Sequence, residues 1–173
     1  MKILVVGGGA REHTLVWKLA QSSKIKEIYV TPGNAGTAGL AQNIAINPTD
    51  TESLVKLAQE KGVGLAVVGP ETPLANGIVD QFQESGIPIF GPTKAAARIE
   101  SSKVFAKELM QKYNIPCARG AIFSSYAEAG EYVKHLFPPI VVKANGLAAG
   151  KGVTIAHTTR QALDTLANIM EAK

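Results

Sequence analysis

Two stretches of this chain hold the residue types from which phosphate chemistry is usually built. The first is Gly7-Gly8-Gly9-Ala10-Arg11-Glu12-His13, a glycine turn that runs straight into charged and ionisable side chains. Small residues let backbone N–H groups approach an anion, and a helix starting there adds the positive end of its dipole. Arg11 offers a fork of donors suited to a phosphate, although such residues taken alone, Arg11 and His13 alike, are more often surface or capping groups. Glu71, in Gly69-Pro70-Glu71-Thr72-Pro73-Leu74, has two readings as well. It could accept the vicinal hydroxyls of a ribose, or simply place a carboxylate in the first turn of a helix. The second stretch is Lys143-Ala144-Asn145-Gly146-Leu147-Ala148-Ala149-Gly150-Lys151-Gly152. Its amides and Lys151 can close as a flap over polyphosphate, with Lys143 pointing into the same space.

Several chemistries are excluded by what stands beside these residues. A dinucleotide fingerprint needs a third glycine where Glu12 stands and an acid where Thr31 ends its strand. A Walker A loop needs Gly at position 145 and Ser or Thr at 152, with a helix following. No Ser/His/Asp or Cys/His nucleophile constellation is present. The formal charge of +4 carries no Arg/Lys cluster with interleaved aromatics, so nucleic acid is not an expected partner. The one cysteine, Cys117, rules out an internal disulfide and fits a reducing compartment. The apolar run 3–6 is too short for a membrane span and no signal-peptide core follows it. The cytoplasm is the expected location, with no membrane partner.

The elements that must position these residues are legible from periodicity. Buried-strand patterns at 2–6, 27–31, 43–46, 65–68 and 88–90 alternate with helical segments, which predicts a parallel sheet flanked by helices. Helices are expected over 11–21, from a Thr49/Glu52 capping box to Lys61, and as one segment through Leu74, Ile78 and Phe82. The strands end in Gly- or Pro-containing loops, after Val6, Thr31, Val68 and Phe90. In an open parallel sheet those loops share one edge, where ligands bind. The pattern changes near residues 93–102, giving expected domains of 1–100 and 101–173. The second part reads as a helix over 103–113, a strand at 121–123, a helix boxed by Ser125 and Glu128, strands at 140–143 and 153–156, and a helix capped by Thr158 and Gln161. These elements are too few for a second core, so apolar faces such as Phe105/Leu109/Tyr113 and Leu163/Leu166/Met170 are expected to lack cover. The sequence is expected to continue past Lys173.

Read together, five segments resemble the phosphoribosylamine–glycine ligase family of ATP-grasp enzymes. They are Gly7 to His13; Pro32-Gly33-Asn34-Ala35-Gly36-Thr37; Gly69 to Leu74; Glu100-Ser101-Ser102-Lys103-Val104-Phe105-Ala106-Lys107; and Val142 to Val153. The resemblance implies a Rossmann-like α/β domain followed by an incomplete ATP-grasp portion. It implies ligation of glycine to 5-phosphoribosylamine in purine synthesis, through a glycyl phosphate. It places substrate contacts at Gly9, Arg11, His13, Asn34, Gly36, Thr37, Gly69, Pro70 and Glu71. ATP contacts fall at Lys103, Lys143, Gly146, Gly150, Lys151 and Gly152, with Lys143 also catalytic. ATP and Mg2+ are implied, the metal ligands and adenine pocket lying outside this chain, which is then inactive by itself. Two departures stand out: family members often carry Gly-Ser-Gly-Gly in place of Gly7 to Ala10, and Asp in place of Asn145. A non-catalytic module that binds phosphoribosyl ligands is the alternative, and the retained Lys103, Lys143 and flap argue against it.

Overall fold

In the computed structural model, residues 1–148 and 150–171 are described. The chain divides into two compact units, Met1–Arg98 and the residues from Ile99 onward. The division falls within a helix, two residues before the boundary expected from sequence.

The first unit alternates strand and helix as the periodicity requires. Its elements are β1 (Lys2–Gly7), α1 (Ala10–Leu19), β2 (Glu27–Pro32), β3 (Gln42–Asn43), α2 (Thr51–Lys61), β4 (Leu65–Val68), α3 (Glu71–Asn76), α4 (Ile78–Glu84), β5 (Ile89–Phe90) and α5 (Lys94–Ser101). All strand pairs are parallel, in the order β3-β2-β1-β4-β5. A parallel sheet must be covered on both faces, and the alternation of side chains supplies two apolar layers. Leu4, Val6, Tyr29, Ala66 and Val68 meet Leu54, Ile78, Val79 and Phe82 on one side. Ile3, Val5, Ile28, Val30 and Val67 meet Val16 on the other. Phe82 is fully buried, a burial worth roughly 1.5–3 kcal/mol.

Three local expectations are corrected here. The segment through Leu74, Ile78 and Phe82 is two helices, because Gly77 adopts φ +95 between α3 and α4. That left-handed conformation ends one helix and re-aims the next, which a helical periodicity reads straight through. The cap of α2 is Asp50, whose Oδ1 accepts from the Ser53 N–H at 3.2 Å. Thr49 is diverted to Asn47, whose Oδ1 accepts from both its N–H and its hydroxyl. The third strand is shorter and earlier than 43–46, since only Gln42 and Asn43 pair with β2.

The second unit comprises α6 (Lys103–Lys112), α7 (Tyr126–Lys134), β6 (Ile140–Lys143), β7 (Val153–Ala156) and α8 (Thr159–Met170). Strands β6 and β7 pair antiparallel. No strand forms at 121–123; among the described residues no neighbouring strand offers it a ladder, and the stretch is irregular. Ser125 stands at the N-cap of α7 but its side chain makes no capping hydrogen bond, whereas Thr158 caps α8 by accepting from Gln161 N–H. A small core does exist: Val133, Ile140, Val142, Ala156 and Ala162, with Leu136, Leu163 and Leu166 packed against them. The expectation of an uncovered α8 face is therefore wrong for Leu163 and Leu166. Helix α6 is different, having no buried residue, with Tyr113 exposed just beyond its end.

Candidate functional site

The strand order reverses at β1, which pairs with β2 on one side and β4 on the other. Connections leave in opposite directions there, so a crevice opens between the loops after β1 and β4. Arg11 crosses it. Its Nη1 donates to the Gly69 carbonyl at 2.5 Å and its Nη2 to Glu71 Oε1 at 2.9 Å. Both side chains remain substantially exposed. The Glu71 carboxyl is held below the ordinary carboxylate range, first by its own backbone N–H at the start of α3 and then by the Arg11 hydrogen bond. The two readings of Glu71 thus converge: a first-turn acid also stands at the crevice mouth, paired with the cation expected to meet phosphate.

Beneath this pair lies a residue whose role the sequence did not disclose. Glu12 is buried, and its Oε2 accepts from the Gly9 N–H at 2.6 Å. This is the return half of a capping box, with the carboxylate in the first turn of α1 where the dipole favours it. Glycine is obligatory around it: a methyl at Gly69 would lie 1.9 Å from Glu12 Oε1, and one at Gly7 would lie 2.6 Å from its Cγ. Glu12 therefore keys the loop after β1 to the loop after β4. The Gly9 amide, expected to face substrate, is already occupied by an internal anion. The clue was available, since a glutamate stands where a dinucleotide site has its third glycine, but its burial depends on a loop far away in sequence.

The loop after β2 is knit as tightly. Asn34 Nδ2 donates to the carbonyls of Gly8 at 3.0 Å and Gly9 at 3.3 Å. Thr37 is fully buried; its hydroxyl donates within reach of the Asn34 carbonyl and of Asn43 Oδ1, and accepts from the Asn34 N–H. The Thr37 side chain thus braces the loop that presents Asn34. His13 packs over Gly36, where a methyl would come within 2.3 Å of its Cε1. Pro70 precedes α3 at its N-cap. In the loop after β5, Gly91 lies against Leu74 and Val79 of the helices that follow β4.

In the second unit the flap residues form a turn between β6 and β7, closed by Ala144 N–H to Gly152 O at 2.9 Å and Lys151 N–H to Ala148 O at 2.8 Å. Ala149 lies outside the described residues. Lys103 Nζ donates to the Gly146 carbonyl at 2.6 Å, and Gly152 faces the same ammonium and the Ala148 methyl. Lys143 projects from the exposed face of the hairpin with Val141, Val153 and Ile155, and Lys151 is exposed. Asn145 Oδ1 meets the start of α6, accepting from Val104 N–H and Ser102 Oγ, each at 3.3 Å. Among the described residues no group of three or more His, Cys, Asp or Glu is placed to hold a metal.

Comparison with known proteins agrees with this division. The family model for the phosphoribosylglycinamide synthetase N domain matches residues 1–100, and that for its ATP-grasp (A) domain matches 101–173. Phosphoribosylamine–glycine ligase of Ralstonia nicotianae is 55% identical over 164 residues, covering 94% of this chain and 38% of the relative. That of Halalkalibacterium halodurans is 50% identical over 170 residues, covering 98% and 40%. The crystal structure of phosphoribosylamine–glycine ligase from Thermotoga maritima superposes with a TM-score of 0.80 at 30% identity, over 99% of this chain and 41% of that one. The chain thus spans about 40% of the length of these relatives. With both family models matched in order along its whole length, the chain belongs to the phosphoribosylglycinamide synthetase family, carrying the N domain and part of the ATP-grasp domain.

Proposed function

We propose that this chain supplies the amino-acceptor site and part of the ATP site of an enzyme that joins glycine to 5-phosphoribosylamine at the expense of ATP. The observation that carries this reading is the half-identity to phosphoribosylamine–glycine ligases running unbroken through both units. The geometry supports it. The switch-point crevice gathers Arg11, Asn34, Glu71 and the Gly69-Pro70 backbone, a set able to take a phosphorylated sugar: a guanidinium for phosphate, a carboxylate and amide for hydroxyls.

Lys103, Lys143, Gly146, Gly150, Lys151 and Gly152 fit a polyphosphate, since ammonium groups and open backbone offer donors and no carboxylate intervenes in the flap sequence. ATP as co-substrate would supply the phosphoryl group that makes a carboxylate susceptible to an amine. The contribution of these residues is charge neutralisation and positioning. The Mg2+ that accompanies ATP in ATP-grasp enzymes finds no ligand set among the described residues, and no step is assigned to it. Turnover is proposed to need the part of the relatives that this chain does not span.

Calorimetric titration of the 173-residue chain with glycinamide ribonucleotide tests the acceptor site, and binding at micromolar to millimolar concentration is expected. A folded sample that takes up no ligand at millimolar concentration overturns the proposal. Formation of glycinamide ribonucleotide by the chain alone, from glycine, ATP and phosphoribosylamine, overturns the assignment of turnover.

A further inference from the structure

The first turn of a helix has N–H groups without intrahelical partners, and at α6 two of them are met by different means. Ser102 Oγ takes the Phe105 N–H at 3.2 Å from within the segment. The Val104 N–H is taken by Asn145 Oδ1, 41 residues along the chain, and the same oxygen reaches Ser102 Oγ. Immediately beside this contact, Lys103 Nζ donates to the Gly146 carbonyl. Two consecutive residues of α6 therefore grip two consecutive residues of the flap. Lysine has four rotatable bonds and a strongly hydrated head, so an isolated surface ammonium gains little by holding one geometry. Here the backbone beneath it is fixed first.

We infer that Asn145 is a positioning residue that ties the first turn of the flap to the start of α6 and so holds the Lys103 ammonium at the flap's mouth. An amide performs this differently from a carboxylate. Both accept the Val104 N–H, but the amide leaves the positive end of the α6 dipole uncompensated and adds no anion next to Lys103. The mouth keeps its full attraction for phosphate oxygens. What Lys103 meets there rests on the proposed ATP site; the tether itself does not, and it is measurable without nucleotide.

The test is amine acetylation by a water-soluble succinimidyl ester together with amide exchange, both read by mass spectrometry on the intact 173-residue chain. In Asn145→Ala, Lys103 is expected to label about fivefold faster relative to Lys112 at the other end of α6, the factor that one ordinary hydrogen bond represents. Exchange at Val104 and across the flap is expected to quicken by a similar factor, with α8 unchanged. Asn145→Asp keeps the acceptor and should keep both rates slow. Wild-type labelling and exchange in Asn145→Ala overturn the inference. So does an equal loss of protection in α8, which marks general unfolding, and so does an Asn145→Asp that behaves like the alanine variant. In a final arm, tripolyphosphate is expected to shield Lys103 less in Asn145→Asp than in wild type. If it shields Lys103 in neither protein while the tether results hold, the ATP-site reading fails and the tether stands.

Discussion

Gly69→Ala isolates the role of Glu12. The new methyl would sit 1.9 Å from Glu12 Oε1, 2.5 Å from Cδ and 2.7 Å from Cγ, whereas ordinary contact begins at 3.4 Å. Three atoms of one buried side chain are struck at once, so no rotation of the carboxylate alone relieves the overlap. Glu12 must leave, giving up a charge-assisted bond to the Gly9 N–H worth about 1.5–3 kcal/mol. The loops must also shift around the added carbon, at about 1–3 kcal/mol. The expected destabilisation of the first unit is therefore roughly 2.5–6 kcal/mol. Trp17, the chain's one tryptophan, lies on α1 and reports that unit in urea titrations. The decisive variant is Glu12→Ala/Gly69→Ala. If the cost of the methyl is the collision with Glu12, the double variant should be scarcely less stable than Glu12→Ala alone, a coupling about as large as the whole cost of Gly69→Ala. Additive losses would refute the keying of the two loops by this side chain.

Other perturbations read other contacts. Glu71→Gln should lower the melting temperature at neutral pH, and the difference from wild type should vanish as the pH falls. A carboxyl whose folded pKa is depressed contributes fully above the unfolded value of about 4.3 and loses that contribution as acid passes through the lower folded value. A difference that persists at about pH 2 would show that charge is not the cause. Thr31 has a fully buried hydroxyl with no partner among the described residues, so Thr31→Val should be neutral or stabilising by up to about 1 kcal/mol; destabilisation in thermal melts would mean the hydroxyl is satisfied. Arg11→Ala should weaken calorimetric binding of glycinamide ribonucleotide by about tenfold or more. Unchanged affinity would confine Arg11 to its bonds with Gly69 and Glu71.

The strands were readable wherever burial on both faces produced an unbroken aliphatic run, as at Ile3 to Val6 and Leu65 to Val68. Their common edge followed from βα alternation, and with it the neighbourhood of Arg11, Asn34 and Glu71. What failed were features fixed by one residue's backbone or by distant partners. Gly77 breaks a helix whose apolar spacing is continuous, because spacing carries no information about φ. Ile122 and Phe123 are β-favouring but find no neighbouring strand to pair with among the described residues. Glu12 was read for the glycine it replaces, while its function resides in the shape of Gly69. Thr37 and Asn145 were noticed as motif members, yet what they do is hold other motif members in place.

The exposed face of the β6/β7 hairpin joins Val141, Val153 and Ile155, about half accessible each, to Lys143 at the same end as the flap. In open solvent, water screens that lysine so well that a unit charge at 4 Å is worth only about 1 kcal/mol. Any apolar body laid on the three aliphatic neighbours would expel that water and raise the same interaction to about 4 kcal/mol at an effective dielectric near 20. The pull of this ammonium on an anion would therefore depend about fourfold on whether the aliphatic face beside it is wet or covered.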